Sequence, residues 1–340
     1  MDTKAFIAGC SGLTLTEEEK TFFANERPWG FILFARNIES PDQVRALCAE
    51  LRLSVDDPTA PILIDQEGGR VQRLRPPHWQ NYPAAARLGT IYDQDREAAY
   101  RAVWLLSRIH AFDLQPLGIN VDCLPVLDLP AEGMHEVIGD RAYGPTVEHI
   151  VALGKAACDG LKSGGVLPVI KHIPGHGRGT SDSHLELPRV STTHEELAKS
   201  DFLPFAALRQ EPMAMTAHIV FEAIDDQRPA TTSGKMINDI IRGEIGFDGL
   251  LMSDDVSMRA LSGDFADRTR AIFDAGCDIV LHCNGEMEEM KAVASATPQL
   301  SGKATERASS ALTATAGPDG LDEQSIRDEF EETLARFLVS

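Results

Sequence analysis

The segment KHIPGHGRGTSDSHLELP (171–188) holds a dense collection of proton-transfer groups. Pro174, Gly175, Gly177 and Gly179 prevent a helix there, so it reads as a long loop following a strand that ends at Lys171-His172. Asp182 and His184 stand two apart, and in an extended segment residues i and i+2 face the same way. A carboxylate beside an imidazole orients the ring and favours its charged form, which makes an acid/base pair. The plain alternative is a turn made by Asp182 and Ser183. A second candidate is GLLMSDD (249–255), a buried strand closing on Asp254-Asp255. Successive strand side chains point to opposite faces, so one aspartate of the two enters a pocket at the strand end, which suits a single nucleophile better than a shared pair. The competing expectation is a helix N-cap, with Ser253 or Asp254 preceding VSMRAL.

Other apolar runs also stop on residues able to bind or react: at Asp65, at Lys171-His172, at His218, and at His282 with Asn284. Taken singly, His218 and His282 read as capping or core-edge polar groups. Asp65, Lys171, His172 and Asp254 together specify one pocket. The elements that must bring them together are apolar runs at 29–37, 60–69, 118–128, 166–175, 213–221, 229–233, 249–255 and 278–284, with helical patterns such as 40–52 and 194–208 between them. Strands alternating with helices predict an α/β fold, a parallel sheet closed as a (β/α)8 barrel of the TIM type, in which PATTS at 229–233 is the weakest strand. In such a barrel the strand ends open on one face, where active sites lie. A doubly wound open sheet is the alternative, but neither G-x-G-x-x-G after the first strand nor a P-loop is present. From about 286 the chain reads as extra C-terminal helices ending in EQSIRDEFEETLARFL. With no repeat, low-complexity tract or linker, residues 1–340 are expected to form a single catalytic domain.

Lys and Arg number 32 against 52 Asp and Glu, a formal charge of −20. That balance excludes nucleic acid and anionic membrane surfaces as expected partners, since both need a basic face. The N-terminal MDTKAFIAGCSGLTLTEEEK lacks the apolar core of a secretory leader, and no run approaches the roughly 18 apolar residues of a membrane span. Six scattered cysteines without a C-x-x-C pair read as buried, reduced thiols, which places the protein in the cytoplasm. No cofactor or metal is expected, and a monomer is.

Assembled, IDQEGGRVQRL (64–74), VIGDRAYG (137–144), KHIPGHGRGTSDSH (171–184), GLLMSDD (249–255) and AGCDIVLHCN (275–284) resemble the bacterial β-N-acetylhexosaminidases of glycoside hydrolase family 3, the compact NagZ type of peptidoglycan recycling. The resemblance covers nearly the whole chain. It implies Asp254 as nucleophile, His184 as acid/base and Asp182 as the partner of that histidine. It also implies that Asp65, Arg73, Arg141, Lys171 and His172 hold the hydroxyls and acetamido group of a terminal sugar. The activity it implies is retaining, exo-acting removal of β-linked N-acetylglucosamine from a small carbohydrate, such as an N-acetylglucosamine-anhydro-N-acetylmuramic acid peptide. An imidazole with an ordinary pKa near 6.5 suits proton donation around neutrality. Departures from the family's commonest pattern are Ile173 in place of Phe, Arg178-Gly179 inside the loop and Ala142-Tyr143 in place of Ser-Phe, none at a catalytic position. Larger members carry a second, sandwich-like domain, for which this chain is expected to have no residues left.

Other readings stay open beside it. A neutral imidazole does not repel phosphate, so the same site could run as a phosphorylase. A metal-dependent barrel hydrolase would use His172, His176, Asp182 and His184 as ligands. An inert sugar-binding barrel would be expected to lack Asp254 or His184, and both are present. For an anionic substrate, Arg73, Arg141, Lys171 and Arg178 are expected to make the pocket more positive than the rest of the surface.

Overall fold

The computed structural model describes residues 3–131, 138–179, 187–315 and 317–338. Eight strands close into a barrel: β1 (Lys4–Gly9), β2 (Pro28–Leu33), β3 (Ile62–Ile64), β4 (Val121–Asp122), β5 (Leu167–Ile173), β6 (Met213–Thr216), β7 (Leu250–Asp255) and β8 (Ile279–His282). Each pairs in parallel with its sequence neighbours, and β8 closes on β1. The (β/α)8 barrel predicted from the alternation of elements is the fold that forms.

The strands are buried on both faces, and their period of two sorts the residues into two apolar layers. Ile7, Ile32, Leu63, Val121, Val169, Met213, Leu250 and Ile279 fill the barrel interior. Their neighbours, among them Phe6, Phe31, Ile62, Ala214, Leu251 and Val280, pack in the larger cluster shared with the helices. The helix Pro41–Ser54 illustrates why the outer layer forms: Val44, Leu47, Cys48 and Leu51 recur at helical spacing on its buried side, and Ser40 caps its N-terminus through Gln43.

One expected strand is not a strand. PATTS at 229–233 forms a 3-10 turn over Ala230–Thr232, and the barrel is completed instead by KAFIAG at its beginning. In that turn Thr231 Oγ1 donates to the Ala217 carbonyl at 3.0 Å, which makes it a tie between loops rather than a ladder residue. KAFIAG is hydrogen-bonded on both sides, with Ala8 opposite His282 and opposite Phe31. The helical pattern at 194–208 breaks into His194–Ala198 and Phe202–Ala207 around buried Asp201.

The C-terminal helices appear as expected, ending in Glu323–Leu338. Ala308 and Ala311 of the helix Gly302–Leu312 join the interior cluster and close the N-terminal mouth of the barrel. Among the described residues no helix is long and apolar enough to cross a membrane. All six cysteines are free thiols; five are buried, and Cys283 is half-buried.

Candidate active site

The inward series of three strands ends in polar residues at the open, C-terminal face. Leu63 is followed two residues on by Asp65, Val169 by Lys171 and Met252 by Asp254, so each side chain points into the barrel mouth by the period that points the apolar ones into the core. They line one cavity of about 160 Å³ with Arg73, Arg141, His172, Asp255 and an apolar set that includes Phe34, Met215 and Cys283.

Arg73 and Arg141 arrive by different routes. After Asp65 the chain makes a small hairpin, Gln66–Gly68 against Val71–Gln72. Gly68 and Gly69 turn it with φ of 95° and 57°, and a Cβ on Gly68 would collide with the Pro83 carbonyl. Gln66 Oε1 accepts from the Arg73 and Leu74 amides, both at 3.0 Å, which folds Arg73 back beside Asp65. Arg141 stands on the 3-10 turn Gly139–Arg141.

The charged groups form a chain of alternating sign. Arg73 donates to Asp65 at 2.9 Å, Lys171 donates to Asp65 at 2.9 Å and forms an ion pair with Glu67 at 2.6 Å, and Arg141 grips both oxygens of Glu67 at 2.8 Å. Lys171 is 2% exposed. Burial alone would push its ammonium down, but Asp65 and Glu67 outweigh that and hold it well above its usual range. Burial likewise works against the Asp65 carboxylate, and Lys171 with Arg73 overcomes it and keeps the group well below the ordinary range. For Glu67, Arg141 and Lys171 overcome burial and bring it down to about 2. Both carboxylates are therefore ionised at neutral pH. Sequence reasoning does not single out Glu67, although it stands in the IDQEGGR stretch; an acid directly before two turn glycines is the available signal.

His172 is fixed from behind. Its Nδ1 lies 2.7 Å from Oδ2 of Asp128, whose other oxygen accepts from the His172 and His176 amides at 3.2 and 2.6 Å. Burial would raise Asp128, but the neighbouring histidines and these hydrogen bonds lower it, so it is an ionised orienting group that sequence reasoning does not single out. His176 is buried, and desolvation reinforced by His172 lowers it to about 4.

Asp254 and Asp255 both line the cavity, where strict alternation predicts one. The register against β8 slips between Met252 and Asp255, which brings the second residue round. The two differ in use. Asp255 accepts from the Ser257 amide at 3.0 Å and the Cys283 amide at 3.1 Å, so it, rather than Ser253 or Asp254, caps the following turn and ties β7 to the end of β8.

His218 and His282 take the core-edge roles expected of them singly, and Arg178 lies away from the cavity. His218 is fully buried between Thr231 Oγ1 at 2.7 Å and the Asp255 carbonyl at 3.0 Å, and His282 contacts Glu289 at 3.1 Å; both are ties at strand ends rather than lining groups. Arg178 is turned away and paired with Asp201 at 2.7 Å. The network side of the cavity carries three cations and two carboxylates, but Asp254 and Asp255 add two more negative charges. The positive pocket expected from the sequence is thus limited to one wall. Asp182 and His184 lie outside the described residues.

Residues 9–312 match the model of the glycosyl hydrolase family 3 N terminal domain. The chain belongs to glycoside hydrolase family 3. As a member it is a glycoside hydrolase, and its relatives are close over most of their length. It is 41% identical to a beta-hexosaminidase of Alkalilimnicola ehrlichii, covering 82% of this chain and 80% of that one, and 40% identical to a beta-hexosaminidase of Methylococcus capsulatus, covering 80% of each. Among solved structures, native NagZ of Neisseria gonorrhoeae superposes with a TM-score of 0.85 at 32% identity, over 99% of this chain and 97% of that one. The same Neisseria protein has also been seen in complex with N-trifluoroacetyl-D-glucosamine, matching with a TM-score of 0.85 at 31% identity over 99% of this chain and 97% of that one.

Proposed function

We infer that the protein is a retaining exo-β-N-acetylglucosaminidase that removes terminal β-linked N-acetylglucosamine from peptidoglycan-derived muropeptides, acting as a monomer in the cytoplasm. The observation that carries this reading is the division of the cavity into two walls. On one wall, Arg73, Asp65, Lys171 and Arg141, held in place through Glu67 and with His172 beside them, offer the mixed donors and acceptors that sugar hydroxyls and an acetamido group require. On the other, Asp254 and Asp255 supply negative charge where an oxocarbenium-like transition state becomes positive.

In the proposed reaction a carboxylate oxygen of Asp254 bonds to the anomeric carbon as the bond to the leaving oxygen breaks. His184, oriented by Asp182, gives that oxygen its proton. The resulting glycosyl ester is attacked by water, which surrenders a proton to His184, and the bond to Asp254 breaks. Two inversions give net retention. The roles of His184 and Asp182 rest on their spacing and on the family resemblance. The N-acetylglucosamine analogue bound by the Neisseria neighbour supports the choice of sugar.

Turnover of p-nitrophenyl β-N-acetylglucosaminide tests the reading. Asp254→Asn should lose about 10³-fold or more in kcat. His184→Ala should lose less on this substrate, because nitrophenolate leaves without needing a proton. Unchanged turnover in Asp254→Asn refutes the assignment. A several-fold rise with added phosphate, with sugar 1-phosphate as product, would replace hydrolysis by phosphorolysis.

A further inference from the structure

Behind the sugar-facing network lies a second pair of ionisable groups that the reaction does not use. Asp122 ends β4, and His110 is on the helix Arg96–Leu114 packed outside it; both are 0% exposed. Oδ1 of Asp122 accepts from the Gln66 amide at 3.0 Å. Its Oδ2 lies 3.8 Å from His110 Nδ1, and neither that oxygen nor either nitrogen of His110 has a hydrogen-bond partner among the described residues. Three such polar atoms in one place call for a reason, because each unsatisfied buried group costs about 1–3 kcal/mol.

We propose that Asp122 and His110 share a single proton as a net-neutral buried pair, and that this pair is a positioning device for the sugar-binding carboxylates Asp65 and Glu67. The Asp122–Gln66 hydrogen bond pins the peptide that joins those two residues. The side chain of Gln66 holds the same stretch from the other side, accepting from the Arg73 and Leu74 amides. An ionised Asp122 with no shared proton would put a third buried carboxylate behind Asp65 and Glu67, competing for Lys171 and cancelling the network's one net positive charge. The protonated carboxyl keeps its Oδ1 acceptor for Gln66 and aims its Oδ2 proton at His110 Nδ1, which a shift of well under 1 Å brings into hydrogen-bond range.

Burial agrees in direction for both partners. It raises the Asp122 carboxyl well above its ordinary value and, with Arg327 adding to it, lowers His110 to about 3. His110 is held from its other side. Its ring packs edge-on against Tyr82 at 5.1 Å, and Tyr82 is bound to Asp113 and to Arg327 of the helix Glu323–Leu338. The pair thus relays the placement of the C-terminal helix to the base of the sugar wall.

The proposal rests on the sugar-binding reading of Asp65 and Glu67, and kinetics on the nitrophenyl substrate separates the two. Asp122→Asn keeps the acceptor for Gln66 and supplies a neutral donor toward His110, so KM and kcat should stay within about twofold of wild type. Asp122→Ala removes the acceptor, and KM should rise about tenfold with a much smaller change in kcat, in protein whose melting curve shows it folded at the assay temperature. An Asn variant as impaired as the Ala variant would mean that an ionised carboxylate is required, and overturns the proposal. So does an unchanged KM in Asp122→Ala alongside an active wild type. An Asp122→Ala chain that fails to fold leaves the decision to Asp122→Asn, whose KM alone distinguishes the neutral pair from a charged one. Absence of wild-type turnover would overturn the functional reading and this proposal with it.

Discussion

The two ends of the barrel carry the same charge arithmetic and put it to different uses. At the C-terminal mouth the order is Arg73–Asp65–Lys171–Glu67–Arg141. At the N-terminal end it is Arg242–Asp278–Arg307–Asp248–Lys303, again three cations alternating with two carboxylates, with distances of 2.7, 3.0, 2.5 and 3.4 Å. The N-terminal set commits its capacity to the backbone: Asp278 accepts from the Leu251 amide, and Arg242 donates to the Phe247 and Gly249 carbonyls. A cavity of about 360 Å³ opens beside it, lined by Lys303 and Arg307 whose charges are already met. The hydrogen bonds of Asp65 and Glu67 among the described residues run only to Lys171, Arg73 and Arg141, and the group faces a cavity. The N-terminal network spends its polar atoms on main chain and holds strands together; under the proposed function, the C-terminal one turns its own toward a ligand.

The largest way to break this contrast is Lys171→Met, which leaves two buried carboxylates without their shared cation. Stability should fall by about 3–5 kcal/mol, and sugar binding should be lost with it. At the other end the terminal cation offers the contrast: Lys303→Met removes a side chain 57% exposed and should cost no more than about 0.5 kcal/mol, with KM untouched. Equal losses in urea melts of the two variants would erase the distinction. Next in size is Asp278→Asn, which should lower stability by about 1–3 kcal/mol through the Arg242, Arg307 and Leu251 contacts while leaving KM alone. A raised KM there would show that the N-terminal set reaches the site. A last contrast is in acid sensitivity. Because Glu67 titrates lower when folded than when unfolded, its stabilising contribution is present above its ordinary value of 4.5 and fades as pH falls toward about 2. Glu67→Gln should flatten the loss of stability across that window, and identical acid slopes for wild type and variant would remove Glu67 from the account.

The strand period of two is the most legible signal in the sequence. Asp65, Lys171 and Asp254 each extend an inward apolar series by one step, so the strands themselves announce them. Glu67 and Arg73 lie past the end of β3, in a hairpin whose direction depends on two left-handed glycines and on the side chain of Gln66, and no periodicity reports that. Arg141 is reached only through family resemblance, because its turn has no regular pattern. The fold shows the same division. KAFIAG reads as part of a failed leader rather than a strand, because a short apolar run looks alike whether or not a sheet awaits it. PATTS reads as a strand on its β-branched residues, although Thr231 serves to hold a loop. The paired use of Asp254 and Asp255 depends on the register slip against β8, which is a property of two strands rather than of one.

The barrel interior is filled by apolar side chains, and the helix Gly302–Leu312 adds Ala308 and Ala311 to that packing at the N-terminal mouth, so the C-terminal cavity has a solid floor. Traffic is therefore one-way in the sense of a dead-end street. Under the proposed function, a sugar seated against Lys171 would meet packed side chains beneath it, so only the tip of a chain would reach that seat.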